Sequence, residues 1–313
     1  MNALWISIYL ASGIGLLYYG GDKLILGATS LAIRKGLSRM TVGLTVVALG
    51  TSAPEFFVSL LAVARGSTQI SIGNIIGSNI ANIALILGIS ALLTPLASRS
   101  RTLRFEMPLV LFASLLAYLL ALWSRNLGRI DGLLLFSLFA LFLYYCSRNR
   151  YEAELMARGT GLTSCLRTDI LLILSGLVGL GLGSELFVRG AVQLARQVGV
   201  SELVIGLTVV AVGTSLPELA ASIIALVRKE MDISVGNILG SNLFNLLFVL
   251  GSVATIHPLP CEPQALWVDF PVMIAFTILA FIFLLSRKTL ARWEGGTLLF
   301  FYVLYLTGMA FRI

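Results

Sequence analysis

Residues 43–55 read GLTVVALGTSAPE and residues 206–218 read GLTVVAVGTSLPE, so eleven of thirteen positions are identical. The offset is 163 residues, and it also aligns SIGNIIGSNIANIALILG at 71–88 with SVGNILGSNLFNLLFVLG at 234–251. The same offset pairs Asp22 with Glu185, Pro95 with Pro258, Glu106 with Asp269, Pro108 with Pro271 and Asp131 with Glu294. The two halves of the chain therefore align without a gap over nearly their whole length. Gene duplication is the simple explanation.

The duplicated unit belongs in a membrane. The 313 residues are 58% hydrophobic and only 12% charged, with a mean hydropathy of +0.96. A soluble domain is about 45–50% apolar and about 25% charged. That leaves too little polar side chain to cover a globule, which argues against a soluble enzyme, a disordered chain or a nucleic-acid binder. Cys146, Cys165 and Cys261 form no CxxC pair and His257 is the only histidine, so no zinc site or disulfide framework can be assembled. The first positive charge, Lys23, follows the first apolar stretch, which is the wrong order for a secretory signal.

Windows of about 20 apolar residues, the length that crosses a bilayer, predict ten spans. They cover 3–33, 40–64, 71–93, 105–124, 130–147, 168–197, 203–227, 234–255, 267–286 and 294–311. The fold class expected is an all-α membrane protein of ten transmembrane helices. Residues 1–147 form the first repeat, 148–167 a cytoplasmic linker and 168–313 the second repeat. Five spans per half is an odd number, so the second half enters the membrane from the opposite side and the repeats are inverted. Transporters built this way bind substrate and coupling ions near the midplane. With both termini outside, the inner loops hold 15 Lys and Arg against 6 outside, as the positive-inside rule requires.

Glu55 and Glu218 fall mid-span, each in a GTSxPE sequence. A carboxylate at the bilayer centre costs roughly 2.5–3.5 kcal/mol on insertion scales. Nearly all basic residues lie in loops, so protons or metal cations must neutralise the pair, which the inverted repeat is expected to bring together. On a helix, residues three and four apart share a face, which sets Thr51 and Ser52 beside Glu55, and Thr214 and Ser215 beside Glu218. Pro54 and Pro217 cannot donate to the carbonyls of Gly50 and Gly213, and their rings disturb those of Thr51 and Thr214. Carbonyls, hydroxyls and carboxylates are hard oxygen donors, suited to calcium or sodium rather than copper or zinc. Ser78 and Asn82, and likewise Ser241 and Asn245, are four apart and form a second polar stripe, while Gly73, Gly77, Gly236 and Gly240 permit close helix approach. Asp22 and Glu185 read as interfacial or helix-packing charges near Lys23 and Arg189.

At these residues the sequence resembles the sodium/calcium exchanger family of the calcium/cation antiporter superfamily, in its minimal prokaryotic form. The resemblance covers the whole chain through GTSAPE…GSNIAN and GTSLPE…GSNLFN. It implies an antiporter, not an enzyme, that needs no cofactor and exchanges cytoplasmic Ca2+ for external Na+ electrogenically by alternating access. Glu55 and Glu218 would coordinate calcium with the carbonyls of Thr51 and Thr214. One sodium site would use Ser78, Thr214, Ser215 and the Ala211 carbonyl. Its counterpart would use Ser241, Thr51, Ser52 and the Ala48 carbonyl. Asn82 and Asn245 would line the central position, and Asn at both speaks against potassium co-transport.

In the family the first and sixth helices slide across the other eight. Protons should compete with both ions. The chain is expected in the cell (inner or plasma) membrane, functional as a monomer, with the lipid bilayer but no nucleic acid as partner. A Ca2+/H+ antiporter is the alternative, although its signature resembles GNATE. The duplicated Ser/Thr-rich sites favour coupled exchange over this alternative, over an intramembrane hydrolase and over a passive channel.

Overall fold

A computed structural model describes residues 3–97, 102–148, 165–199 and 211–311. Apart from four two-residue strands, its elements are helices. They are α1 (Ala3–Lys35), α2 (Arg39–Thr51), α3 (Ala53–Ala64), α4 (Thr68–Leu93), α5 (Thr102–Ser124), α6 (Arg129–Arg148), α7 (Leu166–Gln197), α8 (Leu216–Val227), α9 (Met231–Ile256), α10 (Ala265–Ser286) and α11 (Arg292–Phe311). Helices α2 and α3 form one broken span, and seven others are each long and apolar enough to cross a membrane. Helix α8 is the main described part of the seventh predicted span. The start of that span and most of the predicted linker lie outside the described residues. Helical segments thus stand at all ten predicted positions, and the chain is an all-α membrane protein of two inverted five-span repeats.

The duplication is written into the backbone. Positive φ occurs at Gly36 and Gly199, at Gly66 and Lys229, and at Arg125 and Lys288, each pair separated by the repeat offset. Asp131 accepts the N–H of Gly128 at 2.8 Å, and Glu294 that of Ala291 at 2.7 Å. Each acid is the third residue of its helix and closes one half of a capping box.

The chain divides into two compact units, each drawn from both halves of the sequence. One comprises Met1–Thr51, Arg150–Asn237 and Phe301–Ile313. Within it α1 and α7 run antiparallel along repeat-related glycines: Gly13 faces Phe187, Gly20 faces Gly176 and Leu180, and Gly27 faces Asp169 and Ile173. A Cβ at Gly20 would sit 2.5 Å from the Leu180 nitrogen, so the seam requires residues without side chains. Leu24, Ile25, Val42, Val47, Ala221 and Ile233 form the core beside it. Of the two repeat-related acids, Asp22 ties two helices together, whereas Glu185 makes an exposed pair within α7. Arg228 Nε donates to Asp22 at 2.8 Å, while Glu185 pairs with Arg189 at 2.5 Å. Lys23 instead lies over the Tyr19 ring.

The second unit comprises Ser52–Asn149 and Ile238–Phe300. Strand β1 (Leu96–Ala97) pairs antiparallel with β4 (Thr289–Leu290), and β2 (Asn126–Leu127) with β3 (Leu259–Pro260). Since β3 repeats β1 and β4 repeats β2, the two pairings are the same contact made twice. Gly88 against Gly295 and Gly132 against Gly251 repeat the pattern between helices. Inside this unit the halves are therefore related by a local twofold.

Candidate functional site

The broken spans place the two central carboxylates. Ser52 has φ −84° and ψ 4°, and Ser215 has φ −89° and ψ 5°. The sequence repeat is thus a conformational repeat. In each motif the proline enters the first turn of the following helix, where its missing N–H costs nothing. Glu55 and Glu218 then lie in that first turn, where the partial positive charge of the helix N-terminus favours a carboxylate. Both side chains are fully buried. The Gly213 carbonyl accepts the Ser184 hydroxyl at 2.7 Å, so it is committed to the protein. Position 184 has no counterpart in the first half, where Gly21 stands.

Around each glutamate the same clamp is built twice. Asn74 Nδ2 donates to the Glu55 carbonyl at 3.3 Å and to Ser59 Oγ at 3.0 Å. In the other unit, Asn237 Nδ2 donates to the Glu218 carbonyl at 3.3 Å and to Ser222 Oγ at 3.0 Å. These bonds tie the helix carrying the polar stripe to the first turn carrying the acid. Sequence reading missed all four residues. The available signal was Asn74 four positions before Ser78, and Asn237 four before Ser241, extending each stripe along one face.

The remaining candidates are buried. Thr51, Ser52, Ser215, Ser78, Ser241, Asn82, Asn245 and Ala48 are each at most 2% exposed, while Thr214 is half-buried. Ser78 Oγ is 3.5 Å from Glu55 Oε1, the outer limit of a hydrogen bond, and Thr51 Oγ1 donates to Asn237 Oδ1 at 3.1 Å. The Ala211 backbone begins a short helical turn, Ala211–Gly213. One unit holds Ala48, Thr51, Ala211, Thr214, Ser215 and Glu218, and the other holds Ser52, Glu55, Ser78, Asn82, Ser241 and Asn245. A close approach is made at Gly236, whose Cβ would meet the Met40 carbonyl at 2.8 Å. None of the described residues lies within 4 Å of a Cβ at Gly73 or Gly77.

Two features give this set chemical character. First, π-helical turns open in repeat-related places, Asn82–Ile86 in α4 and Phe244–Val249 in α9. Such turns free backbone groups from the regular ladder and gather at functional sites. Here they begin at Asn82 and one residue before Asn245. Second, several buried polar atoms make no hydrogen bond to the described residues: both amide atoms of Asn245, Asn82 Oδ1, Ser241 Oγ and Ser215 Oγ. Asn82 uses its nitrogen, donating to Asn242 at 3.2 Å. Buried amides and hydroxyls left so cost about 1–3 kcal/mol each, and native proteins rarely tolerate them without purpose. Among the described residues no group of three or more His, Cys, Asp and Glu converges. The donors on offer are neutral oxygens and, in each unit, one carboxylate.

CaxA of Alkalimonas amylolytica is 40% identical, over 96% of this chain and 97% of its own. Inner membrane protein YrbG of Escherichia coli K12 is 38% identical over 86% of each chain. A solved structure of the sodium-calcium exchanger NCX_Mj superposes with a TM-score of 0.85 at 31% identity, covering 98% of this chain and all of that one. The same exchanger has been solved after soaking with Na+ and Sr2+. The family profile described as sodium/calcium exchanger protein matches residues 5–148 and again 168–311. The chain belongs to the sodium/calcium exchanger family, and is a membrane transporter rather than an enzyme.

Proposed function

We propose that this cation exchanger carries Ca2+ out of the cytoplasm in exchange for entering Na+. The observation that carries the reading is the duplicated, fully buried glutamate at a proline-broken helix, supported by orphaned amide and hydroxyl oxygens on the helices that follow. Glu55 and Glu218 together hold calcium with the carbonyls of Thr51 and Thr214. Ser78, Thr214, Ser215 and the Ala211 carbonyl serve one sodium ion; Ser241, Thr51, Ser52 and the Ala48 carbonyl serve its counterpart. Asn82 and Asn245 line the central position.

Charge gives the mechanism. Calcium, or two sodium ions, balances the two carboxylates, and any further sodium leaves the loaded site positive. Exchange of more than two sodium ions per calcium is therefore electrogenic. A proton on either glutamate removes half the fixed charge, so protons compete. The exchanger works as a monomer in the cell membrane, both termini outside, with residues 1–147 and 168–313 as its inverted halves and 148–167 as a cytoplasmic linker. The test is Glu55→Gln and Glu218→Gln, which keep shape and remove charge. Each is expected to cut sodium-driven calcium flux more than about a hundredfold, the scale on which a lost charged partner counts. Intact exchange in both would overturn the assignment.

A further inference from the structure

Asn237 is only 1% exposed, and its amide is held from three directions. The nitrogen donates to the Glu218 carbonyl and to Ser222, and the oxygen accepts from Thr51 Oγ1 at 3.1 Å. A flipped amide would set its oxygen against the Glu218 carbonyl, acceptor facing acceptor, so the orientation is fixed by the partners. Thr51 Oγ1 also has a second acceptor in reach, the Ala48 carbonyl at 3.3 Å. A hydroxyl has one proton and two acceptor sites. When it binds a cation through a lone pair, its proton must go elsewhere.

We infer that Asn237 is a positioning residue for sodium: its Oδ1 takes the Thr51 proton, turning the Thr51 lone pairs to the cation and sparing the Ala48 carbonyl for the same ion. The inference rests on the proposed sodium role of Thr51 and Ala48. Without Asn237 the hydroxyl turns to Ala48, and one internal hydrogen bond consumes two sodium donors. Calcium is affected far less, because on the same reading it uses the main-chain carbonyl of Thr51. Outer partners that orient a ligand in this way are typically worth about 10–100-fold in metal affinity.

The test is the half-saturating Na+ and Ca2+ concentration for exchange in proteoliposomes, measured separately for each variant. Asn237→Leu is expected to raise half-saturating Na+ by about tenfold and leave that for Ca2+ within about twofold. Ser222→Ala removes one tether of the amide but not the Thr51 acceptor, and changes neither value beyond about twofold. Thr51→Val added to Asn237→Leu produces no further loss, as expected for two residues acting through one interaction.

Equal shifts for both ions in Asn237→Leu, or additive effects in the double variant, would overturn the inference. Should Asn237→Leu not fold, Asn237→Ala is read in its place: a selective rise for Na+ supports the link, and an equal rise for both ions refutes it. Wild-type flux indifferent to Na+ would instead remove the transport reading itself, before any variant is compared.

Discussion

Asn245 separates a ligand from helix glue. Both of its amide atoms are buried without a hydrogen bond to the described residues, so the side chain destabilises the protein unless an ion or another polar group meets it. Asn245→Leu, which keeps the branched heavy-atom skeleton, is expected to raise thermal stability measured without ions, by an amount on the order of 1–3 kcal/mol. It should also abolish the extra stabilisation that calcium gives. A helix-gluing asparagine would do the reverse, losing stability on substitution.

Glu230 tests electrostatics outside the membrane. It pairs with Arg39 at 2.9 Å, yet burial raises its pKa above the ordinary value, with Asp232 adding to the rise and Arg39 and Arg228 opposing it. A raised folded-state pKa means that its stabilising contribution is full below the unfolded value. It is lost as pH rises through the folded one. Thermal unfolding followed from about pH 4 to 7 should therefore decline less steeply with rising pH in Glu230→Gln than in wild type.

At the scale of elements, the α1–α7 seam is the least tolerant surface. Gly20→Leu would drive a side chain into backbone 2.5 Å away and is expected to cost at least about 1–3 kcal/mol, the usual penalty of overpacking. Gly15→Leu on the same helix faces open space and should be near neutral. Melting temperatures in detergent distinguish the two.

Helices and duplication were legible in sequence because each has a local cause, apolar length and identity at a fixed offset; the missing N–H of Pro54 and Pro217 was read as disturbed carbonyls, not as the breaks at Ser52 and Ser215. The π turns at Asn82–Ile86 and Phe244–Val249 were not, since nothing in NIALI or FNLLFV differs from ordinary helix-forming sequence. Nor were the two-residue strands, whose pairing depends on segments more than a hundred residues apart. The polar stripe was read from Ser78 to Asn82 but not back to Asn74. The partners of Asn74, the Glu55 carbonyl and Ser59, lie on a neighbouring helix. The use of the Gly213 carbonyl by Ser184 was hidden for the same reason.

For the molecule as a whole, inversion of the repeats and the excess of inner basic residues make one topological prediction. A reporter or cysteine placed at either terminus should be reachable from outside the cell, and one in the 148–167 linker only from the cytoplasm. The charge of the proposed site makes another. Sodium-driven calcium uptake should be accelerated by a membrane potential that is positive on the sodium-loaded side, since more positive charge leaves with sodium than returns with calcium. The most direct measurement is uptake of radioactive calcium into sodium-loaded proteoliposomes, with wild type and Glu55→Gln compared in sodium-free and sodium-containing buffer. Uptake that requires the outward sodium gradient and vanishes in Glu55→Gln is the predicted result; uptake that ignores sodium and follows a pH gradient would contradict it.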